Sequence, residues 1–453
     1  MSCGIHQDPP SPDVIHTAIQ SNIDRYIDNL DKHSYVDSKG RYQHWHDFRF
    51  RVPAGEDAVL AWAAVKRSRS SILRETGLYA ENGKPMRFCL PDSASTVVHK
   101  IDQLSAKIGA HSPSNSSSTE NNQYLVESLM MEEAISSAQL EGASTTRRVA
   151  KEMLESERPP SNDDERMIVN NFLLMKLAKR SRNLKLSIEL IRRFHEEATR
   201  GIQEEKALPG EIRQDNDIFV VDRNSEIAHQ PPDHKLLLQR LEALYDFANT
   251  EHNGQDGELF IHPAVKAIIL HFMLGYEHAF NDGNGRTARG IFYWYMLKTG
   301  YWGFEYISIS TLLKKAPAQY GESYLFTETD DFDLTYFINY QLCIIERAMD
   351  DFLSHLNKKR REFFEIMTWL ERSGFSKDLN FRQVHLIKKV VRNPGRLFTA
   401  KEVKNDFGVS EGTARTDLEK LVKLKLLAKH REGKSYIYVA RGDAIETVKS
   451  SVT

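Results

Sequence analysis

The sequence predicts a mainly α-helical protein: a helical bundle that carries a β-hairpin flap, followed by a C-terminal winged helix-turn-helix domain. Three observations lead there. Apolar residues recur at helical spacing from about residue 123 through the middle of the chain. One β-branched run, Ile218, Phe219, Val220 and Val221, interrupts that pattern and is followed by the turn-forming "DRNS" and a second short apolar pair within residues 226–228. Near the C-terminus the pattern changes to helix, a turn containing Gly408, helix, then a hairpin around "REGK".

At 453 residues the chain exceeds one ordinary domain. The formal net charge of −2 argues against a protein coated in basic patches. Cys3, Cys89 and Cys343 lie far apart, with neither metal-ligand spacing nor a disulfide framework, which suits a reducing cytosol. "MSCGIHQDPPSPD" has no basic start and no apolar run of a secretory signal. No stretch reaches the roughly 18–20 apolar residues of a membrane span. The expectation is a cytoplasmic protein with no membrane partner.

Residues 1–115 read as a mixed N-terminal region, in which "HWHDFRFRV" alternates like a short strand and "AGEDAVLAWAAVKRSRSSILRE" has helical spacing. "HSPSNSSSTENN" is a Ser/Asn-rich linker with little to bury. Residues 123–141 then form a helix closed by Gly142, and "ESERPPSNDDER" is a polar break. The helical pattern resumes from Arg166 to about Ala207, and the hairpin takes residues 214–232. Residues 120–345 are expected to form the central domain, and 346–453 a helical connector with the winged helix.

The chemistry concentrates in "HAFNDGNGRTAR", His278 to Arg289, which lies between the apolar runs "AVKAIILHFMLGYE" and "GIFYWYMLK". A plain loop between two helices accounts for Asn281, Gly283, Asn284 and Gly285. It does not account for His278, Asp282, Arg286 and Arg289 at the edge of a core, where unpaired charge is costly. A phosphate site uses all of them. Two glycines let the backbone approach, and a helix starting near Gly285 offers unpaired N–H groups and a positive dipole end. Arg286 and Arg289, three apart, share a helix face and can grip a polyphosphate. Asp282 can hold the magnesium of a nucleotide. Neutral His278 can take a proton from an attacking hydroxyl.

The stretch resembles the signature of the Fic (Fic/Doc) family, His-Pro-Phe-x-(Asp/Glu)-Gly-Asn-(Gly/Lys)-Arg-x-x-Arg, with Ala279 as the one departure. The resemblance implies a Fic-type helical bundle and transfer of AMP from ATP to the hydroxyl of a protein Ser, Thr or Tyr, the chain itself included. It implies His278 as general base and Asp282 as the Mg2+ ligand. The implied ATP-binding residues are Asn281, Gly283, Asn284, Gly285, Arg286 and Arg289, with Tyr320 approaching the adenine. Members that transfer phosphate typically carry lysine at the position of Gly285, so glycine points to ATP and AMP. In the family the hairpin aligns a target chain by main-chain pairing, a role that would fall to Ile218, Phe219, Val220 and Val221. Ala279 is expected to loosen the turn after His278.

"SSAQLEG" is similar to the family's inhibitory motif, (Ser/Thr)-x-x-x-Glu-(Gly/Asn), through Ser137, Glu141 and Gly142. Independently, an anion near a helix C-terminus is disfavoured by the dipole and gains from a cation. The resemblance supplies Arg289 as that cation, with Ser137 on the same face fixing the glutamate. The same glutamate serves some members in removing AMP. The C-terminal module is basic, and Ser410 is placed to cap its second helix. Charge alone does not choose between DNA and a protein partner, and a homodimer is compatible with the sequence. Two readings stand: an autoinhibited protein adenylyltransferase, and a DNA-binding regulator whose Fic core senses nucleotide with little turnover.

Overall fold

The computed structural model describes residues 6–109, 119–155, 158–202, 208–221, 227–305, 307–372, 379–392, 395–432, 435–444 and 446. It divides into two compact units, Met1–Met349 and Asp350–Thr453. Among the described residues no helix is long and apolar enough to cross a membrane.

The first unit is built around two helices, Pro263–Glu277 and Asn284–Lys298, which pack along each other. Pro263 opens the first without losing a needed donor, and His262 caps it by accepting from the Ala264 N–H. Both helices are buried nearly all round, as expected of a bundle's central layer. Phe272, Phe292 and Trp294 are fully buried, each contributing roughly 1.5–3 kcal/mol of apolar transfer. Asp163–Arg180 and Ile188–Thr199 cover one side of Asn284–Lys298, and Thr119–Leu140 lies on Asp163–Arg180. The sequence pattern ran helix through residues 181–187; the chain breaks there, because Ser181 caps one helix and Ser187 opens the next by accepting from Leu190 N–H.

The N-terminal region packs into the same unit. Buried Arg69 donates to the Tyr336 hydroxyl at 2.5 Å and the Gln43 carbonyl at 2.8 Å, and Lys66 pairs with Asp330 at 2.7 Å. "HWHDFRFRV" departs from expectation: Trp45–Phe48 is one helical turn, not a strand. Trp45 and Phe48, three apart, both bury against Trp62, and that shared face outweighs the local alternation. The region also holds an unanticipated antiparallel hairpin, Arg74–Tyr79 with Pro85–Phe88. The linker reading falls largely on residues 110–118, which lie outside the described residues, and from Thr119 onward its end is helical.

In the second unit, Phe381–Arg392, Ala400–Phe407 and Glu411–Lys423 enclose a core with Leu386, Ile387, Val403, Leu418 and Leu421. Gly408 ends the middle helix in left-handed backbone at φ 62°, and Ser410 caps the next by accepting from Thr413 N–H. An antiparallel sheet follows in the order Leu397–Thr399, Ser435–Ala440, Leu427–Glu432. The helix-turn-helix and wing match the sequence reading. Its first strand, Leu397–Thr399, was too short to show a period.

Candidate active site

His278 ends helix Pro263–Glu277 as its C-cap, in left-handed backbone at φ 44° and ψ 53°. A non-glycine residue there is strained and needs outside support. Arg213 supplies it: its main-chain N–H donates to the Ala279 carbonyl and its Nε–H to the His278 carbonyl, each at 3.0 Å. The turn after His278 is therefore held from outside, although Ala279 stands where the family pattern has proline.

The rest of the loop is fastened from within. Asn284 donates from Nδ2 to the Phe280 carbonyl at 2.6 Å and accepts from the Phe280 N–H at 3.0 Å. Its amide is thus engaged in shaping the loop. Gly283 turns the chain into helix Asn284–Lys298 at φ 77°. His195 stacks flat on Phe280 at 3.7 Å and spans from the Asp282 carbonyl, 2.7 Å, to the Gly210 N–H, 2.9 Å. A carbonyl only accepts and an N–H only donates, so His195 is the neutral Nε2–H tautomer.

The same argument fixes His278. Its Nδ1 lies 3.2 Å from the Gly275 carbonyl and must carry the hydrogen, which leaves the Nε2 lone pair free to take a proton. Burial pulls its pKa down to about 4, with positive His229 and Arg213 acting the same way against the Gly275 bond and Glu141. The dipole at a helix C-terminus favours imidazolium, and here burial overrides it.

The two arginines have separate partners. Arg286 pairs with Asp282 and donates to the Ala198 carbonyl at 2.8 Å. Arg289, fully buried, donates from Nε to Ser137 Oγ at 3.0 Å and from Nη2 to Glu141 Oε1 at 2.8 Å. Burial opposes its charge, but Glu141 holds its pKa above the ordinary arginine value. Among the described residues Arg289 Nη1 meets no hydrogen-bond acceptor, a buried donor facing the same region. Glu141 lies one residue past the end of helix Thr119–Leu140, and Gly142 follows in positive-φ backbone at 102°. A Cβ on Gly285 would overlap Glu141 Oε1 and come within 3.0 Å of Arg289 Nη1. The carboxylate therefore sits directly over the N-terminal turn of Asn284–Lys298, where a helix end attracts anions.

Further back on that helix, buried Glu133 accepts from Ser310 N–H at 3.1 Å, from Ser310 Oγ at 2.5 Å and from Ser308 Oγ at 2.8 Å. Ser136 meets Thr311 Oγ1 at 3.0 Å, and Gln139 accepts from Lys314 at 2.6 Å. These polar contacts seat the helix that carries Ser137 and Glu141. Tyr320 directs its hydroxyl to His271 Nε2 at 2.8 Å, with its ring half-buried.

The hairpin consists of Val220–Val221 paired antiparallel with Ile227–His229. Ile218 and Phe219 precede the first strand, and residues 222–226, including Glu226, lie outside the described residues. Phe219, Val221 and Ile227 are about half exposed or more, at 49%, 50% and 60%. His229 anchors the second strand to Glu328 and to the Tyr276 carbonyl, each at 2.7 Å.

Residues 185–296 match the model of the Fic/DOC family. The chain carries a Fic/DOC family domain. Residues 382–438 match a DeoR-like helix-turn-helix domain. The "Protein adenylyltransferase Fic" of Drosophila sechellia and that of Drosophila melanogaster are each 35% identical over 92 residues, 20% of this chain and 16% of theirs. The match thus spans about a sixth of the length of these relatives. Similar solved structures include a Fic family protein from Desulfovibrio desulfuricans G20, with 17% identity and TM-score 0.49 over 78% of this chain and 96% of that one. Another is Fic-1 from C. elegans, at 18% identity and TM-score 0.47 over 77% and 89%.

His195 and Arg213 hold the loop that follows His278, and Glu133 seats the helix ahead of Glu141, without any of the three having stood out in the sequence. The only signal was position: His195 on the apolar face of a helix, Arg213 just ahead of the hairpin, Glu133 two turns before Glu141.

Proposed function

We propose that this chain is a protein adenylyltransferase, transferring AMP from ATP to a hydroxyl side chain of a protein and held back by Glu141. The observation that carries the reading is the Glu141 carboxylate resting on Arg289 and over Gly285. A carboxylate of the chain itself occupies ground suited to a phosphate, beside a buried guanidinium with a donor to spare. The Fic/DOC match and the adenylyltransferase name of the partial relatives support the transferred group.

In the reaction, Nε2 of neutral His278 takes the proton of the target hydroxyl. The oxygen attacks the α-phosphorus, the new P–O bond forms, and the bond to the β-phosphate breaks to release pyrophosphate. Arg289, freed from Glu141, and the N-terminal turn at Gly285 bind the phosphates and spread their charge. Asn281 and Gly283 contribute to the nucleotide-binding turn, Gly283 packing close against Thr199 and His195, and Asn284 keeps the loop in shape. Hairpin residues Ile218, Phe219, Val220 and Val221 align the target chain beside the base. Tyr320, beside Arg289, is the residue assigned to the adenine.

Among the described residues no cluster of three or more His, Cys, Asp or Glu could hold a metal alone. A single carboxylate completed by substrate phosphates suits Mg2+, and Asp282, one-third exposed beside Arg286, fits that role. When bound, Mg2+ would neutralise charge on the phosphates.

Incubation with α-labelled ATP tests the reading. The Glu141→Gly variant should label itself well above wild type, and Glu141→Gly with His278→Ala should not. Equal labelling in all three variants would overturn it. The DeoR-like match favours a second property, duplex binding through Glu411–Lys423, whose outer face presents Arg415 and Thr416. No labelling in any variant, together with salt-sensitive duplex binding, would make the chain a nucleotide-sensing regulator instead.

A further inference from the structure

Arg213 is 3% exposed, and its side chain reaches three separate segments. Nε–H donates to the carbonyl of His278, Nη1 to the Asp215 carbonyl at 2.6 Å and to Asn216 Oδ1 at 3.0 Å, and Nη2 to the Pro232 carbonyl. Asp215 and Asn216 lead into the first hairpin strand, and Pro232 follows the second. One planar guanidinium thus holds both feet of the hairpin and the backbone of the base. Its acceptors are all neutral oxygens. Asp215, Glu277, Asp233 and Glu81 act on its charge through space, yet among the described residues no carboxylate hydrogen-bonds to it, and apolar packing would tie the loops at lower desolvation cost. What an arginine adds is a rigid fork that sets three segments at fixed spacing.

We propose that Arg213 is a positioning residue that locks the target-aligning hairpin to His278, so that a chain paired with the hairpin presents its hydroxyl to Nε2 at a set distance. The inference rests on the reading of His278 as base and of the hairpin as the target's docking edge. The main-chain bond from Arg213 to Ala279 survives any substitution, so variants at this position test the fork alone.

The test uses full-length protein in the Glu141→Gly background, with Arg213→Lys and Arg213→Ala. Three quantities are measured: ATP affinity, the single-turnover rate of label transfer, and hydrogen exchange of the amides in Val220–Val221 and Ile227–His229. Lysine retains the charge but cannot span three segments. Both variants should therefore bind ATP within about twofold of the parent, transfer label at least about tenfold more slowly, and exchange hairpin amides faster. Transfer at the parental rate in Arg213→Lys overturns the proposal. So does a loss of ATP affinity in step with transfer, which would mark a general structural role. If the Glu141→Gly parent labels nothing, the adenylyltransferase reading fails, and the exchange measurement still decides the lock: unchanged hairpin exchange in both variants overturns it.

Discussion

At Arg289 a buried guanidinium holds Ser137 and Glu141 and, among the described residues, leaves Nη1 without an acceptor, so its state depends on which anion reaches it. Removing Glu141 leaves a buried cation short of a partner. Glu141→Gly should therefore lower the thermal stability of the first unit by about 1–3 kcal/mol, less than for a fully buried pair because the carboxylate is partly exposed. ATP should restore that loss in the variant and raise the melting temperature of wild type much less. Equal shifts in both would separate Glu141 from the nucleotide. At His278, burial holds the pKa near 4, so in the free enzyme the base is already neutral at pH 6. For Glu141→Gly, kcat/KM should stay flat between about pH 8 and about pH 6 and fall only on further acidification. A limb at about pH 6.5, the value of a free histidine, would show that the imidazole is solvated. The types and order of residues in "HAFNDGNGRTAR" were legible because polar residues at the edge of a core demand a reason. Local pattern did not state their pairings: the resemblance supplied Arg289 for Glu141, and nothing supplied Asp282 for Arg286. Arg286 and Arg289 share a helix by spacing, yet one holds Asp282 and the other Glu141.

At the scale of elements, caps and punctuating residues were the reliable signals. Ser410 accepts from Thr413 N–H as its position predicts, and Gly408 and Gly142 both take positive φ. Ser410→Ala should cost about 1 kcal/mol, read as a lower melting point of the second unit alone. A shift in the first unit's melting would contradict the separation of the two cores. Local patterning failed where an element spans too few residues to repeat its period. Trp45–Phe48 is one helical turn fixed by burial against Trp62, and Leu397–Thr399 is three residues paired with Ser435–Ala440. The hairpin Arg74–Tyr79 with Pro85–Phe88 went unread, although Asn82 and Gly83 at its tip form an Asn-Gly turn signal, because its strands are too mixed to alternate clearly.

For the molecule as a whole, the described residues bury separate cores in the two units. Calorimetry should show two transitions rather than one. A second expectation concerns acid. Burial lowers His44 to about 2, His271 to about 3, and His195 and His278 to about 4, all in the first unit. The unfolded chain protonates these residues near 6.5, so between about pH 6.5 and about pH 4 they bind more protons unfolded than folded, and their contribution to stability falls as pH falls. Against this runs the opposite effect of His229, Glu133, Glu277 and Asp333, whose pKa values are raised. Denaturant midpoints of the first unit should drop on going from about pH 7 to about pH 5, while the second, in which His385 is the one lowered histidine among the described residues, should change less. A midpoint that holds or rises would mean that these histidines are charged in the fold.

By itself the sequence determined the helical character, the hairpin, the winged module and the residue types of the site, because periodicity, caps and turn chemistry act over a few neighbours. Only the tertiary structure decided partners. Ser137 and Glu141 reach Arg289 across 148 residues or more of chain, His195 reaches Asp282 across 87, and Arg213 reaches His278 across 65. A buried charge must find its counterpart wherever packing places one, and no local pattern states where that is. So "HAFNDGNGRTAR" announces a phosphate site, the resemblance names Glu141 as the partner of Arg289, and the fold brings the two together and sets the histidine on an arginine from the hairpin's foot.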